Sequence, residues 1–315
     1  MTTATVAMLR GRLRRDVPLA SFTSWHVGGP ADQLYEPADR ADLLAFLAQQ
    51  PPSTPLLWIG LGSNLLVRDG GVRGTAIVLH SHLVELRMDP EVPLSGERED
   101  TTTIYAEAGV HCARVAKFAE RHDLAGLGFF NGIPGTVGGA LTMNAGAFGT
   151  ETWLRVAAAE AVFVDGSTRW LVPADLHIAY RNVEPPEGFL GFLAARFNVA
   201  PDDGSHRRAT QAAMRQRKAT QPVGHASAGS TFRNPPGDHA ARLIDAAGLK
   251  GFRIGGAEVS SRHANFIVND GSASAADIEA VIARVQATVE AASGVVLVPE
   301  IRIVGEAAPP GGGHA

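Results

Sequence analysis

The sequence has little cysteine and no long apolar run. Cys112 is the only cysteine among 315 residues, so no intrachain disulfide can form, which is compatible with a reducing compartment. It lies in a predicted helix over residues 110–122, where a cysteine is more often a small core residue than a nucleophile. No stretch reaches the roughly 20 apolar residues that a membrane-spanning helix needs, and the N-terminus lacks an apolar run of signal-peptide type. We therefore expect a cytoplasmic protein with no membrane partner.

Excess positive charge is also absent. The 28 Lys and Arg residues are outnumbered by 32 Asp and Glu residues, which gives a formal net charge of −4. This argues against nucleic acid as a partner, because phosphate neutralisation needs a basic face. The arginines between residues 10 and 15 are interpreted as a solvated segment rather than a nucleic-acid or membrane arm. The chain length indicates two or three domains.

The order of the predicted elements favours an α+β fold. Strands and helices are mixed without the regular βαβ alternation of a doubly wound sheet. Ser274 and Asp277 form a capping-box pattern that predicts a helix over residues 278–292. The apolar stretches at residues 264–268 and 295–304 predict strands. We find no internal repeat.

Glycine, in contrast, is plentiful, with 35 residues in the chain, and forms clusters at 28–29, 60–71 and 126–149. Because glycine lets backbone amides approach a ligand closely, the first half of the chain is predicted to bind a cofactor. The first loop follows a predicted strand and offers candidate cofactor contacts at Gly60, Leu61, Gly62, Ser63 and Asn64. It is not a Rossmann fingerprint, since Leu65 stands where the third glycine belongs. On this loop alone, a ligand loop and an ordinary tight turn are equally open.

The second glycine loop is the stronger signal. Its candidate cofactor contacts are Gly135, Thr136, Gly138, Gly139, Asn144 and Gly146. Each glycine costs about 1 kcal/mol relative to alanine in regular structure, so a purely structural loop rarely contains so many. We favour a dinucleotide ligand, although these residues do not distinguish FAD from NAD.

Taken together, the motifs resemble the UDP-N-acetylenolpyruvoylglucosamine reductases, the MurB family. The resemblance runs in order from about Leu19 to about Gly305. The motifs are Trp-His-Val-Gly-Gly-Pro-Ala at 25–31, the two glycine loops, Tyr-Arg at 180–181, Ala-Gly-Ser-Thr-Phe-Arg-Asn-Pro at 228–235, Gly-Gly-Ala-Glu-Val at 255–259 and Pro-Glu-Ile-Arg at 299–302. Each motif is modest alone, and their combination is specific.

The resemblance implies a two-part FAD-binding region of the PCMH or vanillyl-alcohol-oxidase type, followed by a C-terminal α+β substrate domain. We expect FAD-binding subdomains at residues 1–80 and 81–205, a substrate domain at 206–303 and a tail at 304–315. Some relatives in the wider superfamily tether FAD through a histidine near the first glycine loop. Ser63 and Asn64 occupy that loop here, so we expect noncovalent FAD.

The family's chemistry implies roles for individual residues. NADPH reduces the flavin, and hydride is then delivered to the enolpyruvyl group of a nucleotide-sugar substrate. By resemblance, Arg181 stabilises the developing enolate, Ser230 donates the proton, and Glu300 orients or protonates the intermediate. Substrate positioning is carried over to Lys218, Asn234, His263 and Arg302. We expect no metal site and a monomer.

The sequence departs from many family members in one respect. Its only tyrosines are Tyr35, Tyr105 and Tyr180, and none follows Arg181. It therefore resembles the shorter branch, which lacks a tyrosine-bearing loop over the substrate. Two alternatives stay open: an oxygen-dependent sugar or alcohol oxidase of the same flavin superfamily, and a non-catalytic nucleotide-sugar sensor. The presence of all three catalytic residue types argues against the sensor.

Overall fold

The chain divides into two compact units, each assembled from stretches that are not consecutive in sequence. The computed structural model describes residues 8–89, 102–222 and 224–308. The described residues of the first unit come from Met1–Arg14, Leu34–Gly60 and Ala76–Arg215, and those of the second from Arg15–Gln33, Leu61–Thr75 and Gln216–Ala315. The domain boundaries at 80, 205 and 303 stay a prediction. The part of the predicted tail after residue 308 lies outside the described residues.

Helices and strands are mixed, as an α+β fold requires. The helices are α1 (Arg40–Ala48), α2 (Cys112–Arg121), α3 (Val137–Thr142), α4 (Ser205–Thr220), α5 (Ala240–Ala246) and α6 (Ala275–Ser293). Short 3-10 turns occupy Leu19–Phe22, Gly128–Gly132, Thr152–Leu154 and Pro173–Asp175. Within the described ranges, no helix is both long enough and apolar enough to cross a membrane.

The strands are mostly short and mostly antiparallel. In chain order they are β1 (Arg12–Pro18), β2 (Pro30–Glu36), β3 (Leu56–Ile59), β4 (Leu65–Val67), β5 (Val72–Val78), β6 (Leu86–Asp89), β7 (Thr102–Glu107), β8 (Leu124–Ala125), β9 (Gly146–Ala147), β10 (Thr150–Glu151), β11 (Val156–Phe163), β12 (Thr168–Leu171), β13 (His177–Ala179), β14 (Asn182–Glu184), β15 (Phe189–Pro201), β16 (Arg253–Ile254), β17 (Ala257–Val259), β18 (Ile267–Asn269) and β19 (Arg302–Val304). A four-stranded sheet has the order β1-β2-β5-β3.

The first unit is built on a six-stranded sheet. Its order is β12-β11-β15-β7-β6, and β8 also pairs with β15. The central strand β15 is 13 residues long and largely apolar, so most of it is buried. The core includes Phe130 and Phe197, whose rings meet edge to face with centroids 5.2 Å apart. Burying each such side chain stabilises the unit by roughly 1.5–3 kcal/mol.

The second unit packs a long helix against a small sheet. Strands β16, β17 and β18 form an antiparallel sheet, and β19 pairs in parallel with β4. The buried residues of α6 recur every three or four positions, from Ile278 to Val289, so one apolar stripe faces the core. Trp25 is fully buried in the same core, and its indole N–H donates to the carbonyl of Ile267 over 2.8 Å.

Two predicted strands are shorter than the sequence indicates. The strand predicted at 264–268 begins only at Ile267, because the amide of Phe266 donates to the carbonyl of His263 and turns the chain. The strand predicted at 295–304 is regular only in β19 and otherwise makes one isolated bridge, between Phe232 and Pro299. The two hydrogen bonds of this bridge flank Pro299, which has no backbone N–H with which to pair a further strand.

Candidate active site

The second glycine loop lies in the first unit and is tied by its backbone to the chain that follows β7. The amides of Val137 and Gly138 donate to the carbonyls of Val110 and Ala108, each over 2.8 Å. Thr136 is the N-cap of α3, and its Oγ1 accepts from the amide of Gly139 over 3.5 Å. The loop is therefore held rigidly, and several of its amides already have partners within the protein.

The glycines of this loop differ in what surrounds them. A Cβ placed on Gly138 would lie 3.0 Å from the Cβ of Ala108, so Gly138 allows close packing. A Cβ placed on Gly139 would meet only the Oγ1 of Thr136, at 3.8 Å, and Gly139 is exposed. Gly139 therefore leaves open space beside its Cα on the exposed side of the loop, where a ligand could approach.

The two glycine loops meet at one point. A Cβ on Gly60 would clash with the Oγ1 of Thr136, so glycine at position 60 lets the first loop pack directly against the second. Both residues belong to the first unit. Within that unit the structure brings together two sequence motifs that are more than 70 residues apart along the chain.

The rest of the first loop belongs to the second unit. Gly62 has φ +61°, and its carbonyl accepts from the amides of Ser24 and Leu65. Leu61 and Ser63 are half-buried. The side-chain amide of Asn64 donates to the carbonyl of Glu300 over 3.2 Å. Asn64 thus connects a predicted cofactor loop to the segment that carries a predicted catalytic carboxylate.

Asn144 is a buried hub rather than an open contact. Its Nδ2 donates to the carboxylate of Glu151 over 2.8 Å and to the carbonyl of Ala179 over 3.2 Å, while its Oδ1 accepts from the amide of Trp153. The residue is 2% exposed, and both its amide donors and its acceptor are used inside the protein. Its contact with Ala179 fixes the strand that leads to Arg181.

Arg181 lies at the tip of the hairpin formed by β13 and β14. Ala179 pairs with Asn182, so Tyr180 and Arg181 are the two residues of the turn. The guanidinium of Arg181 donates to the carbonyl of Gly146 over 3.3 Å and lies 5.4 Å from the ring centre of Tyr180. The arginine is therefore oriented by the second glycine loop, within one unit.

Ser230 and Glu300 are brought close in the second unit by backbone pairing. The amide of Glu300 donates to the carbonyl of Thr231, the residue after Ser230, over 2.8 Å. Ser230 and Glu300 are both half-buried. Two residues that lie 70 positions apart in sequence are thus placed on adjacent segments.

The four predicted substrate-positioning residues lie in different settings. Lys218 is exposed near the C-terminal end of α4, where Arg262 donates to the carbonyls of residues 218 and 219, each over 3.0 Å. Asn234 is exposed, and its Oδ1 accepts from the first amide of α5 over 3.1 Å. Arg302 is an exposed residue of β19.

His263 has the most unusual environment of the four. Its Nδ1 is buried without a hydrogen-bond partner, and its ring lies edge-on to Phe266. Burial lowers the pKa of His263, and the positive charges of Lys250 and Arg217 lower it further. A buried nitrogen without a partner is costly, so the site suits a ligand group that can bond to it.

Comparisons with known proteins agree over both halves of the chain. Residues 31–171 match a FAD binding domain, and residues 221–304 match the C-terminal domain of UDP-N-acetylenolpyruvoylglucosamine reductase. A reductase of that name from Alkalilimnicola ehrlichii is 53% identical over 298 residues, which cover 94% of this chain and 96% of the relative. The chain belongs to the UDP-N-acetylenolpyruvoylglucosamine reductase family.

Other relatives of this reductase family support the same assignment. One from Methylococcus capsulatus is 51% identical over 304 residues, with 96% of each chain covered. The crystal structure of the Thermus caldophilus reductase, MurB, matches with a TM-score of 0.77 and 33% identity, and covers 94% of this chain and 99% of that one. These matches confirm the predicted α+β fold with its FAD-binding region, and the chain is an oxidoreductase of the MurB family.

The residues of the reductase fit noncovalent FAD. On the second loop, Gly139 leaves open space beside its Cα, whereas Thr136 is 2% exposed and holds the loop in shape. On the first loop, Ser63 is a half-buried neutral side chain whose hydroxyl can donate to an anionic pyrophosphate without adding like charge. In contrast, Gly138 and Asn144 serve packing and internal hydrogen bonding. The predicted set of cofactor residues therefore contains both open positions and positions that hold the loop in shape.

Cys112 takes no part in this chemistry. It is fully buried at the start of α2, and burial raises the pKa of its thiol, so it stays protonated and unreactive. The prediction of a core cysteine is confirmed. Sequence reasoning missed two other residues. Glu151 accepts from the side chain of Asn144, seven positions earlier, and Asn265 bonds to Phe232, 33 positions earlier. Neither bond leaves a recognisable pattern in the sequence.

Proposed function

We propose that this chain reduces UDP-N-acetylglucosamine enolpyruvate to UDP-N-acetylmuramate with NADPH, in peptidoglycan precursor synthesis in the cytoplasm, and that it acts as a monomer. The observation that carries the proposal is the pairing of the Ser230 segment with the Glu300 segment in a chain of this family. A hydroxyl and a carboxyl on adjacent segments suit delivery of a proton to carbon.

The proposed cofactor residues lie on the two glycine loops. On the second loop, Gly139 is a proposed contact of FAD, and Thr136 packs against Gly60 of the first loop. On the rest of the first loop, Ser63 is a proposed contact of FAD. Asn144 would act by fixing the loop and the Arg181 hairpin. When bound, FAD supplies the hydride that the enolpyruvyl group takes up at its terminal carbon.

Arg181 has the chemistry to stabilise the charge that this addition creates. Hydride addition places negative charge on the substrate carboxylate, and a guanidinium can hold a carboxylate with two parallel hydrogen bonds. The contacts of Arg181 with Gly146 and Tyr180 restrict its side chain, so less entropy is lost when substrate binds. We assign it to the enolate.

Ser230 is assigned as the proton donor. The carbon next to the enolate is a strong base, so the donor needs correct position more than acidity. Glu300 is assigned to orient the enol or to support proton delivery, since its backbone is held by Thr231 and Asn64. The proton on carbon and the hydride together account for the two hydrogens gained by the product.

The nucleotide part of the substrate is assigned to polar residues of the second unit. Lys218 is a compact cation suited to the diphosphate, and the unpartnered Nδ1 of His263 can bond to a polar group of the ligand. Asn234 and Arg302 are exposed and complete the proposed set. The family match at 221–304 supports a substrate domain over residues 206–303. The boundaries of the two FAD subdomains remain part of this proposal.

Steady-state turnover tests the proposed function. The purified holoprotein is mixed with NADPH and UDP-N-acetylglucosamine enolpyruvate, with and without oxygen. We expect NADPH consumption that depends on the nucleotide sugar and continues without oxygen. NADPH consumption that requires oxygen and does not depend on the nucleotide sugar would instead identify an oxidase. A purified protein that contains no flavin and cannot be reconstituted with FAD would refute the proposal that this chain is a flavoenzyme.

A further inference from the structure

Asn265 holds the peptide backbone next to Ser230 with both ends of its side-chain amide. Its Oδ1 accepts from the amide of Phe232 over 2.9 Å, and its Nδ2 donates to the carbonyl of Phe232 over 2.8 Å. Its own carbonyl accepts from the amide of Thr231 over 2.9 Å. Asn265 is 4% exposed, so these bonds form where water cannot replace them.

The same short segment carries the pairing with Glu300. The carbonyl of Thr231 accepts from the amide of Glu300, and the amide of Arg233 donates to the carbonyl of Val298 over 2.9 Å. The bonds of Asn265 therefore act on the piece of backbone that sets the separation of Ser230 and Glu300. All of these residues belong to the second unit.

The chemistry of asparagine explains why this residue type stands there. A side-chain amide both donates and accepts, so it can pair with the N–H and the C=O of one residue. A carboxylate would place an oxygen against the carbonyl of Phe232, and an aliphatic side chain would leave both backbone groups unsatisfied.

We propose that Asn265 is a positioning residue for proton delivery, fixing the backbone of residues 231–232 so that Ser230 and Glu300 keep their places relative to the enolate. This inference rests on the proposed function. The inference extends the proposed function, because it assigns a role to a residue that contacts the Ser230 segment only through backbone hydrogen bonds.

The chain offers a matched control in Asn269. It is also buried, at 7% exposure, and its side chain also bonds to backbone: Nδ2 donates to the carbonyl of Trp25, and Oδ1 accepts from the amides of Gly271 and Ala273. None of these partners lies in the segment 230–233. Asn269→Ala therefore removes a buried asparagine side chain but leaves the hydrogen bonds of the segment 230–233 in place.

The test compares Asn265→Ala and Asn269→Ala holoproteins in the two half-reactions, measured separately by stopped flow. We expect Asn265→Ala to leave reduction by NADPH unchanged and to slow reoxidation by the enolpyruvyl substrate on the order of 10²-fold, as a small misplacement of a reacting group does. We expect that Asn269→Ala does not slow one half-reaction more than the other. If Asn265→Ala does not fold, Asn265→Asp, of the same shape, takes its place.

Two further measurements separate positioning from a general structural role. Hydrogen exchange should accelerate in peptides covering 228–234 and 298–302 in Asn265→Ala but not in Asn269→Ala. In a Ser230→Ala background, Asn265→Ala should add little further slowing, because it acts through Ser230.

Three results would overturn the inference: full-speed reoxidation in Asn265→Ala, equal slowing of both half-reactions, or fully multiplicative effects with Ser230→Ala. Failure of the proposed function is a distinguishable result, because the wild-type holoprotein itself would then not be reoxidised by the enolpyruvyl substrate. In that case unchanged exchange in the two peptides would still show that Asn265 does not hold the segment.

Discussion

Arg181 has a backbone conformation that arginine rarely adopts. Its φ is +56°, in the left-handed region, at the second position of a two-residue turn where glycine or asparagine is usual. Such a residue costs on the order of 1–3 kcal/mol and persists only where its surroundings impose it. Here the bonds from Asn144 to Ala179 and from Arg181 to Gly146 impose it. Strain that is kept at a proposed catalytic residue supports a functional reason for its position.

The role of Ser230 can be tested by removing only its hydroxyl oxygen. Ser230→Ala should leave reduction of the holoprotein by NADPH nearly intact, because that half-reaction needs no proton at the substrate carbon. Reoxidation by the enolpyruvyl substrate should slow by about 10²–10⁴-fold, the usual effect of losing a positioned proton donor. Stopped-flow absorbance of the flavin measures both rates.

The matched variant for this prediction is Ser230→Cys, which keeps a group that can donate and should retain more activity than alanine. Reoxidation at the wild-type rate in Ser230→Ala would remove Ser230 from the mechanism. Glu300, or a water that it binds, would then be the candidate proton source.

The neighbouring glycines 138 and 139 give a paired prediction. Gly139→Val should fold normally, because its side chain points into open space. It should bind FAD more weakly, because we propose that FAD binds on that side of the loop. Gly138→Val should lose stability, because its side chain meets Ala108. Urea unfolding and flavin content distinguish the two. Wild-type flavin content in Gly139→Val would contradict the assigned FAD contact.

At the scale of elements, helix α6 begins at a set of caps that come from two places in the chain. Ser274 and Asp277 form a reciprocal capping box, as the sequence predicts. The carboxylate of Asp69 also accepts from the amides of Ala275 and Ala276, each over 2.9 Å. The first amides of the helix therefore have partners, one of which lies more than 200 residues earlier.

Removing the distant cap should destabilise the second unit. Asp69→Ala leaves two helix amides without their carboxylate and removes a negative charge from the positive end of the helix. We expect a loss of about 1–3 kcal/mol in the free energy of unfolding, measured by urea denaturation. Asp165→Ala, in an exposed turn, is the control and should cost much less. An equal loss in the free energy of unfolding for both variants would mean that the Asp69 cap does not stabilise helix α6 specifically.

Elements with a local signal could be predicted from sequence, and those that depend on distant partners could not. The capping box of α6 follows from neighbouring residues and is confirmed. The segment 295–301 is apolar enough for a strand, yet its pairing partner is the short segment beside Ser230. The hubs Asn144 and Asn265 look like ordinary asparagines in the sequence, because their importance lies in bonds across 33 to 35 positions.

At the scale of the whole molecule, chain order is a poor guide to the compact units. Sequence reasoning divides the chain into consecutive pieces, while each unit gathers three separated stretches. Two of the unit boundaries fall inside the strands β2 and β5. Because the boundaries lie within regular strands and not in linkers, no change in amino-acid composition marks them. The glycine motifs and the family motifs were still recognisable, because they depend on residue type at close spacing.

The stability of the whole protein should depend on pH through His263. Above its ordinary pKa of about 6.5, His263 is neutral in both the folded and the unfolded chain. Burial lowers its folded pKa, so as the pH falls through about 6.5 the unfolded chain takes up a proton first and the free energy of unfolding decreases. The decrease ends once the pH falls below the lowered folded pKa.

Urea denaturation between about pH 8 and about pH 5, across the ordinary histidine pKa, measures this effect. His263→Gln should lose less stability over that range than the wild type. His177→Gln, at an exposed position, should follow the wild type. Identical pH dependence in the wild type and His263→Gln would show that burial of His263 does not bear on folding.

In the proposed function, the bound flavin passes its reducing equivalents to an enolpyruvyl nucleotide sugar. The most direct measurement is one anaerobic turnover: the holoprotein is reduced with one equivalent of NADPH and mixed with UDP-N-acetylglucosamine enolpyruvate, while flavin absorbance and product mass are followed. We expect the flavin to be reoxidised without oxygen and one nucleotide sugar, heavier by two hydrogens, to form for each flavin. A flavin that stays reduced until oxygen is admitted, with the nucleotide sugar unchanged, would contradict the proposed function.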